Sequence, residues 1–231
     1  MPKVNDWLET IQNLLYPPSC LLCGAAGQDR LDLCRACHQA LPWIDKGCPL
    51  CGLPVPLANA LCGRCLEHPP PFFRTRAPLH YAPPVAGLVA ALKFGGRLAC
   101  ARLLGELLAR QWMHLPRPDC LLPVPLHPDR QHRRGFNQAL EIARPLSRRL
   151  EIPLQPRFCR RVRATVPQRQ LDAGQRRGNL RGAFEASEKV GGHHIALIDD
   201  VMTTGATVRE IASTLLKAGA AKVEVWVVAR A

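Results

Sequence analysis

HIALIDDVMTTGATVR, from His194 to Arg209, reads as a buried strand running into a tight turn and then a helix. Ile195, Ala196, Leu197 and Ile198 form a continuous apolar run, as in a parallel strand covered by helices on both faces. The run stops at Asp199 and Asp200. Two adjacent carboxylates therefore sit at the carboxyl end of a strand, where open α/β sheets bind their ligands. Thr203, Thr204, Gly205, Ala206 and Thr207 follow, small and hydroxyl-bearing, so that successive backbone N–H groups can converge on an anion. Val208, Ile211, Ala212, Leu215 and Leu216 then share one helical face, and Gly219 is a natural stop. The turn thus occupies a helix N-terminus, whose dipole favours negative charge. A purely structural strand-turn-helix also carries a capping Asp and Thr, but two neighbouring carboxylates at a buried strand end are costly without a task. A Walker loop is excluded because GxxxxGK(S/T) does not occur, and a dinucleotide fingerprint because no GxGxxG follows a strand.

The 231 residues give room for one medium α/β domain and a small accessory module, and 47% apolar residues are enough for a core. A formal charge of +13 points to a polyanionic partner, nucleic acid or polyphosphate. The excess is concentrated: His127 to Gly182 holds fourteen arginines and no lysine against Asp129, Glu141, Glu151 and Asp172, a net of +10. Arginine suits bidentate phosphate recognition, although part of such a run is ordinary solvated surface. No apolar run approaches bilayer length, and Asp6 and Glu9 replace the basic start of a signal peptide, so the expected location is cytoplasmic. In that compartment eleven cysteines are not expected to form disulfides, and paired ones become metal ligands.

Four CxxC pairs, Cys20/Cys23, Cys34/Cys37, Cys48/Cys51 and Cys62/Cys65, recur every fourteen residues. Each can form a knuckle presenting two thiolates, so four pairs supply two structural four-thiolate zinc sites with nothing left over. Pairing in chain order gives two successive ribbons; joining alternate pairs gives a cross-braced module, and the spacing allows both. Iron–sulfur ligation and redox CxxC chemistry fit four evenly spaced pairs less well. Cys100, Cys120 and Cys159 have no partner pattern and read as small core residues.

The expected organisation is an amphipathic helix in residues 1–17, a ribbon module over 18–68 and an α/β domain over 72–231, with Pro69-Pro70-Pro71 between the last two. Within the α/β domain, 75–81 reads as a first strand and Pro83 to Phe94 as a helix ending in Lys93-Phe94-Gly95-Gly96-Arg97. Lys93 is either an anion ligand or a solvated helix-end charge. Leu98 to Leu115 is a longer helix. Cys120 to Val124 is a strand that empties into a loop carrying Arg130, Arg133 and Arg134, with a helix from about Asn137 to Leu150. This second strand–loop–helix unit offers a second anion site. His127 and His132 carry no assigned proton-transfer role. Arg157 to Phe184, poor in apolar periodicity, reads as a strand, a long arginine-rich lid over 163–177 and a returning strand. Lys222 to Ala229 is the last strand.

The strand, acid pair and Thr/Gly turn resemble the 5-phosphoribosyl-1-pyrophosphate (PRPP) signature of type I phosphoribosyltransferases. Together with the cysteine module, LKFGGR, PVPLHPDRQHRRGFNQ and TVPQRQLDAGQRRGNLRGAF in this order, it is similar over nearly the whole chain to the ComF/GntX family of competence-associated proteins. The resemblance implies a parallel sheet flanked by helices, joined to a small double zinc-ribbon module. It also implies PRPP bound with Mg²⁺: Asp199 and Asp200 on the ribose hydroxyls, Thr203 to Thr207 on the 5-phosphate, and a link to DNA uptake with single-stranded DNA as partner. As an enzyme, such a protein displaces pyrophosphate at ribose C1, with Arg130, Arg133, Arg134 and Lys93 stabilising the leaving group. The rival class is a non-catalytic single-strand-binding protein that binds or senses PRPP. Its support is charge and ribbons; against it, aromatics are only 5% of the chain. A PRPP-responsive transcription regulator is weakest, for want of a helix-turn-helix.

Overall fold

The structure, a computed structural model, describes residues 17–163 and 180–231. The expected N-terminal helix and, apart from Arg163, the lid lie outside the described residues. The chain resolves into two compact units, Met1–Pro42 and Trp43–Ala231. This division falls within the expected 18–68 ribbon module.

In the first unit, Ser19 bridges to Ala26 and Gln28 to Leu31, and the short helix α1, Arg35–Gln39, follows Cys34. The Cys34 side chain caps that helix by accepting from the Cys37 N–H. Among the described residues of this unit, Leu31, Leu33 and Leu41 are buried beside the cysteines.

The second unit starts with another knuckle and the helix α2, Gly63–Glu67. A parallel sheet follows. Its central strands are β6, His194–Met202, and β7, Lys222–Arg230. β3, Cys120–Pro123, flanks β6, while β1, Arg74–Arg76, and β2, Leu79–His80, both pair with β7. The expected first strand is therefore broken at Ala77-Pro78, where proline has no N–H to give a ladder. Both outer edges are covered. Thr75 N donates to Pro49 O at 3.0 Å and Ile44 N to Pro78 O at 2.8 Å, while Leu121 N donates to Pro153 O at 2.8 Å at the other edge. Covered edges leave no row of unpaired amides to recruit another strand.

Helices α3, Val85–Gly95, α4, Leu98–Trp112, α5, Pro128–Arg134, α6, Gln138–Leu150, and α7, Ala206–Lys217, connect the strands. Ile195 through Ile198, Val225, Val227 and Val228 are fully buried, which explains the uninterrupted apolar runs of β6 and β7. Trp226 stacks obliquely on Trp112 of α4, ring centroids 4.7 Å apart. α4 and α6 approach closely at Gly105, where a Cβ would lie 2.4 Å from Ile142 O. β4, Cys159–Arg161, and β5, Phe184–Ala186, form the antiparallel pair expected on either side of the lid. Among the described residues no helix is long and apolar enough to cross a membrane.

Candidate functional site

Strand β6 delivers Asp199 and Asp200 just before the turn into α7. Asp199 lines one open cleft together with Val201, Met202, Val208 and the whole Thr203 to Thr207 turn. Gly205 caps α7 with φ 75°, a left-handed conformation that glycine adopts without cost. Thr204 Oγ1 accepts from Ala206 N at 3.3 Å and Asp199 Oδ1 from Asp200 N at 2.9 Å, so the turn is held by its own side chains. Asp200 is only 2% exposed, and its Oδ2 has no hydrogen-bond partner. The Lys93 ammonium, reaching in from the last turn of α3, forms an ion pair with that oxygen. Lys93 thus belongs to the acid pair rather than to a solvated helix end. Burial, then the neighbouring Asp200 charge, raises the Asp199 carboxyl well above the usual carboxylate range, with Lys93 opposing. Two crowded acids at the mouth of an open cleft, one of them neutralised, among the described residues, only by a lysine ion pair, fit a ligand rich in hydroxyls or a divalent cation.

The arginines expected on a loop stand on a helix. Pro128 occupies its first turn, His127 Nδ1 accepts from Asp129 N at 3.3 Å, and Gly135 closes it at φ 82°. These start and stop signals were present in PLHPDRQHRRG and outweigh its lack of apolar periodicity. Arg134 lies within electrostatic reach of both acids. Burial lowers its pKa, the Asp200 charge counters this most, and Arg130 adds repulsion. Arg134 Nη1 donates to Gln138 Oε1, and its guanidinium lies 6.0 Å from the exposed Phe94 ring. Arg130 also faces Arg161, whose pKa burial takes down to about 10. Arg133 is exposed and donates to Asp129 O of its own helix at 3.4 Å. Asn137 caps α6 through Ala139 N at 2.9 Å and donates to Val124 O at 3.0 Å, tying that helix to the end of β3.

The cysteines pair in chain order: Cys20, Cys23, Cys34 and Cys37 form one quartet, Cys48, Cys51, Cys62 and Cys65 the other, with the sulfurs of each all within 4.8 Å of one another. Tetrahedral zinc with bonds of about 2.3 Å sets its sulfurs about 3.8 Å apart. Cys23 and Cys34 Sγ are 3.7 Å apart, and Cys51 and Cys62 Sγ 3.5 Å, so both quartets fit the ion. Burial raises the Cys20 thiol, yet the backbone amides of Cys34, Cys23 and Leu22 bring it down to about 6. Hydrogen bonding to Cys34 and Cys23 pushes Cys37 up to about 12. Crowded thiols of this kind share their protons until a cation replaces them. Cys100, Cys120 and Cys159 are buried singly, as expected of core residues.

Two arginines with structural reach had been passed over in the sequence. Arg230, 3% exposed at the end of β7, donates to Met202 O at 2.7 Å, Thr203 O at 2.5 Å and Cys51 O at 2.9 Å. Arg209 of α7 donates to Pro69 O at 3.2 Å and His68 O at 3.1 Å. An arginine closing the apolar run VEVWVVAR was the available signal, since a buried cation demands partners. At the opposite end of the sheet, buried Glu224 gathers Arg76 at 3.3 Å and His194 at 3.1 Å, a structural cluster.

A family model described as a double zinc ribbon domain matches residues 11–66, and one described as a phosphoribosyl transferase domain matches 137–231. DNA utilization protein YhgH of Escherichia coli O157:H7 is 41% identical over 224 residues, covering 94% of this chain and 99% of that protein. The chain belongs to the ComF/GntX family. Other relatives of this ComF/GntX protein are Competence protein F of Haemophilus influenzae, 36% identical over 86% of this chain and 90% of its own, and Competence protein ComFC of Bacillus subtilis, 28% identical over 82% and 80%. The ComF/GntX assignment agrees with the two cysteine quartets and with the parallel sheet.

Proposed function

We propose that the cleft at the end of β6 binds PRPP and that the protein is a phosphoribosyltransferase-like factor of DNA uptake or DNA utilisation. The observation that carries this reading is that Asp199 and the Thr203 to Thr207 turn line one cleft, with Asp200 beside it and facing Lys93. The turn then holds the 5-phosphate at the α7 N-terminus, and the two acids accept from the ribose 2′ and 3′ hydroxyls. Asp199 or Asp200 would hold Mg²⁺ carried in with PRPP, and the ion would supply positive charge against the pyrophosphate. Lys93 and Arg134 stabilise the departing pyrophosphate when an acceptor displaces it at ribose C1, with Arg130 and Arg133 adding positive charge on the same helix. Lys93 is suited to the task because its partner Asp200 is a group the ribose also engages, so ligand binding frees the ammonium. Residence in the cytoplasm is part of this reading.

The names of the relatives support the link to DNA. The charge of +13 favours one further reading, a non-catalytic factor that binds single-stranded DNA and PRPP without turnover. Pyrophosphate release from PRPP and Mg²⁺, assayed with base, amine and nucleic-acid acceptors, separates the two. Release lost in Lys93→Met supports transfer. No release with any acceptor, together with a DNA affinity falling steeply with salt, supports the binding factor.

A further inference from the structure

The proposed reaction leaves Arg230 without a task, although it is among the most deeply buried cations described. Its Nη1 donates to the carbonyls of Met202 and Thr203, where the phosphate turn begins, and its Nε donates to the carbonyl of Cys51, a ligand of the second quartet. One rigid fork therefore spans the back of the turn and the metal knuckle. Arg209, in the first turns of the helix that walls the cleft, donates to His68 and Pro69, the carbonyls that follow the Cys65 helix. Arg230 thus ties the turn itself, and Arg209 the helix that follows the turn, to the second ribbon and the segment leaving it. A zinc ion on four thiolates leaves that ribbon net negative, which complements both cations. Without the ion, nothing covalent fixes where the Cys51 carbonyl lies.

We propose that the second cysteine quartet is a positioning element for the cleft. Arg230, assisted by Arg209, transmits the metal-held shape of the Cys48–Cys51 knuckle to the Thr203–Thr207 turn, so that the turn's order, and its affinity for the anion, depend on metal in this quartet. The ligand rests on the PRPP reading; the coupling does not.

The test uses the full-length, zinc-loaded chain as wild type, Arg230→Lys, Cys62→Ser and Cys23→Ser. Hydrogen exchange is followed in the 203–207 turn and in the 195–198 strand, alongside titration with PRPP and Mg²⁺. Arg230→Lys keeps the charge and loses the fork; it and Cys62→Ser should speed exchange in the turn and weaken PRPP binding by about tenfold or more. In Arg230→Lys the 195–198 amides should stay protected, and Cys23→Ser, in the first quartet, should match wild type. Should Cys62→Ser expose 195–198 as well, Arg230→Lys alone decides. Wild-type exchange in the turn of Arg230→Lys, or a Cys23→Ser that loosens the turn as Cys62→Ser does, overturns the proposal. A wild type that fails to bind PRPP while exchange follows the expected pattern removes the ligand reading and leaves the coupling standing.

Discussion

In the first quartet Cys20 N donates to Ala25 O at 2.7 Å and Gly24 N to Cys20 O at 2.9 Å; in the second, Cys48 N donates to Leu53 O at 2.7 Å and Gly52 N to Cys48 O at 2.8 Å. Each is followed by a short helix beginning one residue after its third cysteine. The knuckles are thus the same local structure, set by CxxCG with glycine in the left-handed region. Their surroundings differ. Cys23 is exposed and Cys34 and Cys37 half-buried, whereas Cys48, Cys51 and Cys65 are 1%, 2% and 2% exposed and share a core with Phe72 and Val225. A repeated motif fixes its own geometry, and the chain packed around it decides what that geometry supports.

The sharpest way to break this contrast is to remove one ligand from each quartet. From sequence alone, Cys48→Ser would be expected to unfold the N-terminal module and spare the α/β domain. Cys48 packs into the core of the α/β unit, so we predict instead a loss of about 4 kcal/mol, on the order of 10 °C in the main thermal transition, with one zinc lost by elemental analysis. Cys23→Ser should lose one zinc and leave that transition within about 2 °C. Equal shifts would mean the two quartets are equivalent after all.

Gly105→Ala probes the same transition from the helix layer. Its Cβ would meet the Ile142 carbonyl and Pro145, so a loss of about 3 kcal/mol is expected with both zinc ions retained. Thr75→Val sharpens the contrast at its seam. Thr75 Oγ1 donates to Leu50 O at 2.7 Å and its backbone holds Pro49, so the variant should cost about 1–2 kcal/mol by denaturant titration, again with both ions kept.

Much of this was readable beforehand because the signals are local. The apolar run, acid pair and turn of β6 and α7 follow from consecutive residues, and the quartets from strict spacing. The pairing of the cysteines, the placement of the second ribbon against β1, and the roles of Arg209 and Arg230 were not, because each depends on contacts between residues far apart in the chain. Arg230 bonds to a carbonyl at Cys51, 179 positions away. The helix at Pro128–Arg134 was missed for another reason: its caps were legible, but it has no buried face to give a period. The Asp200–Lys93 pair lay between, since each residue had been singled out but nothing local joins them.

The smallest expected effect lies in the cleft and touches neither quartet. Because the fold raises the Asp199 carboxyl, the wild type is most favoured at acid pH and loses that advantage as pH rises through the raised value. Asp199→Asn should therefore match wild type near pH 4 and be more stable by about 1 kcal/mol at higher pH, measured by thermal unfolding, while losing ligand binding. A variant less stable than wild type at every pH would contradict the assignment of strain to the acid pair.

The most direct test of the site itself is calorimetric titration of the full chain with PRPP and Mg²⁺, beside Asp199→Ala/Asp200→Ala. Binding in the micromolar range by the wild type, abolished in a double variant that keeps both zinc ions and its thermal transition, is the predicted result. A folded, zinc-replete wild type that takes up no PRPP, or a double variant that binds as well as wild type, would contradict the account.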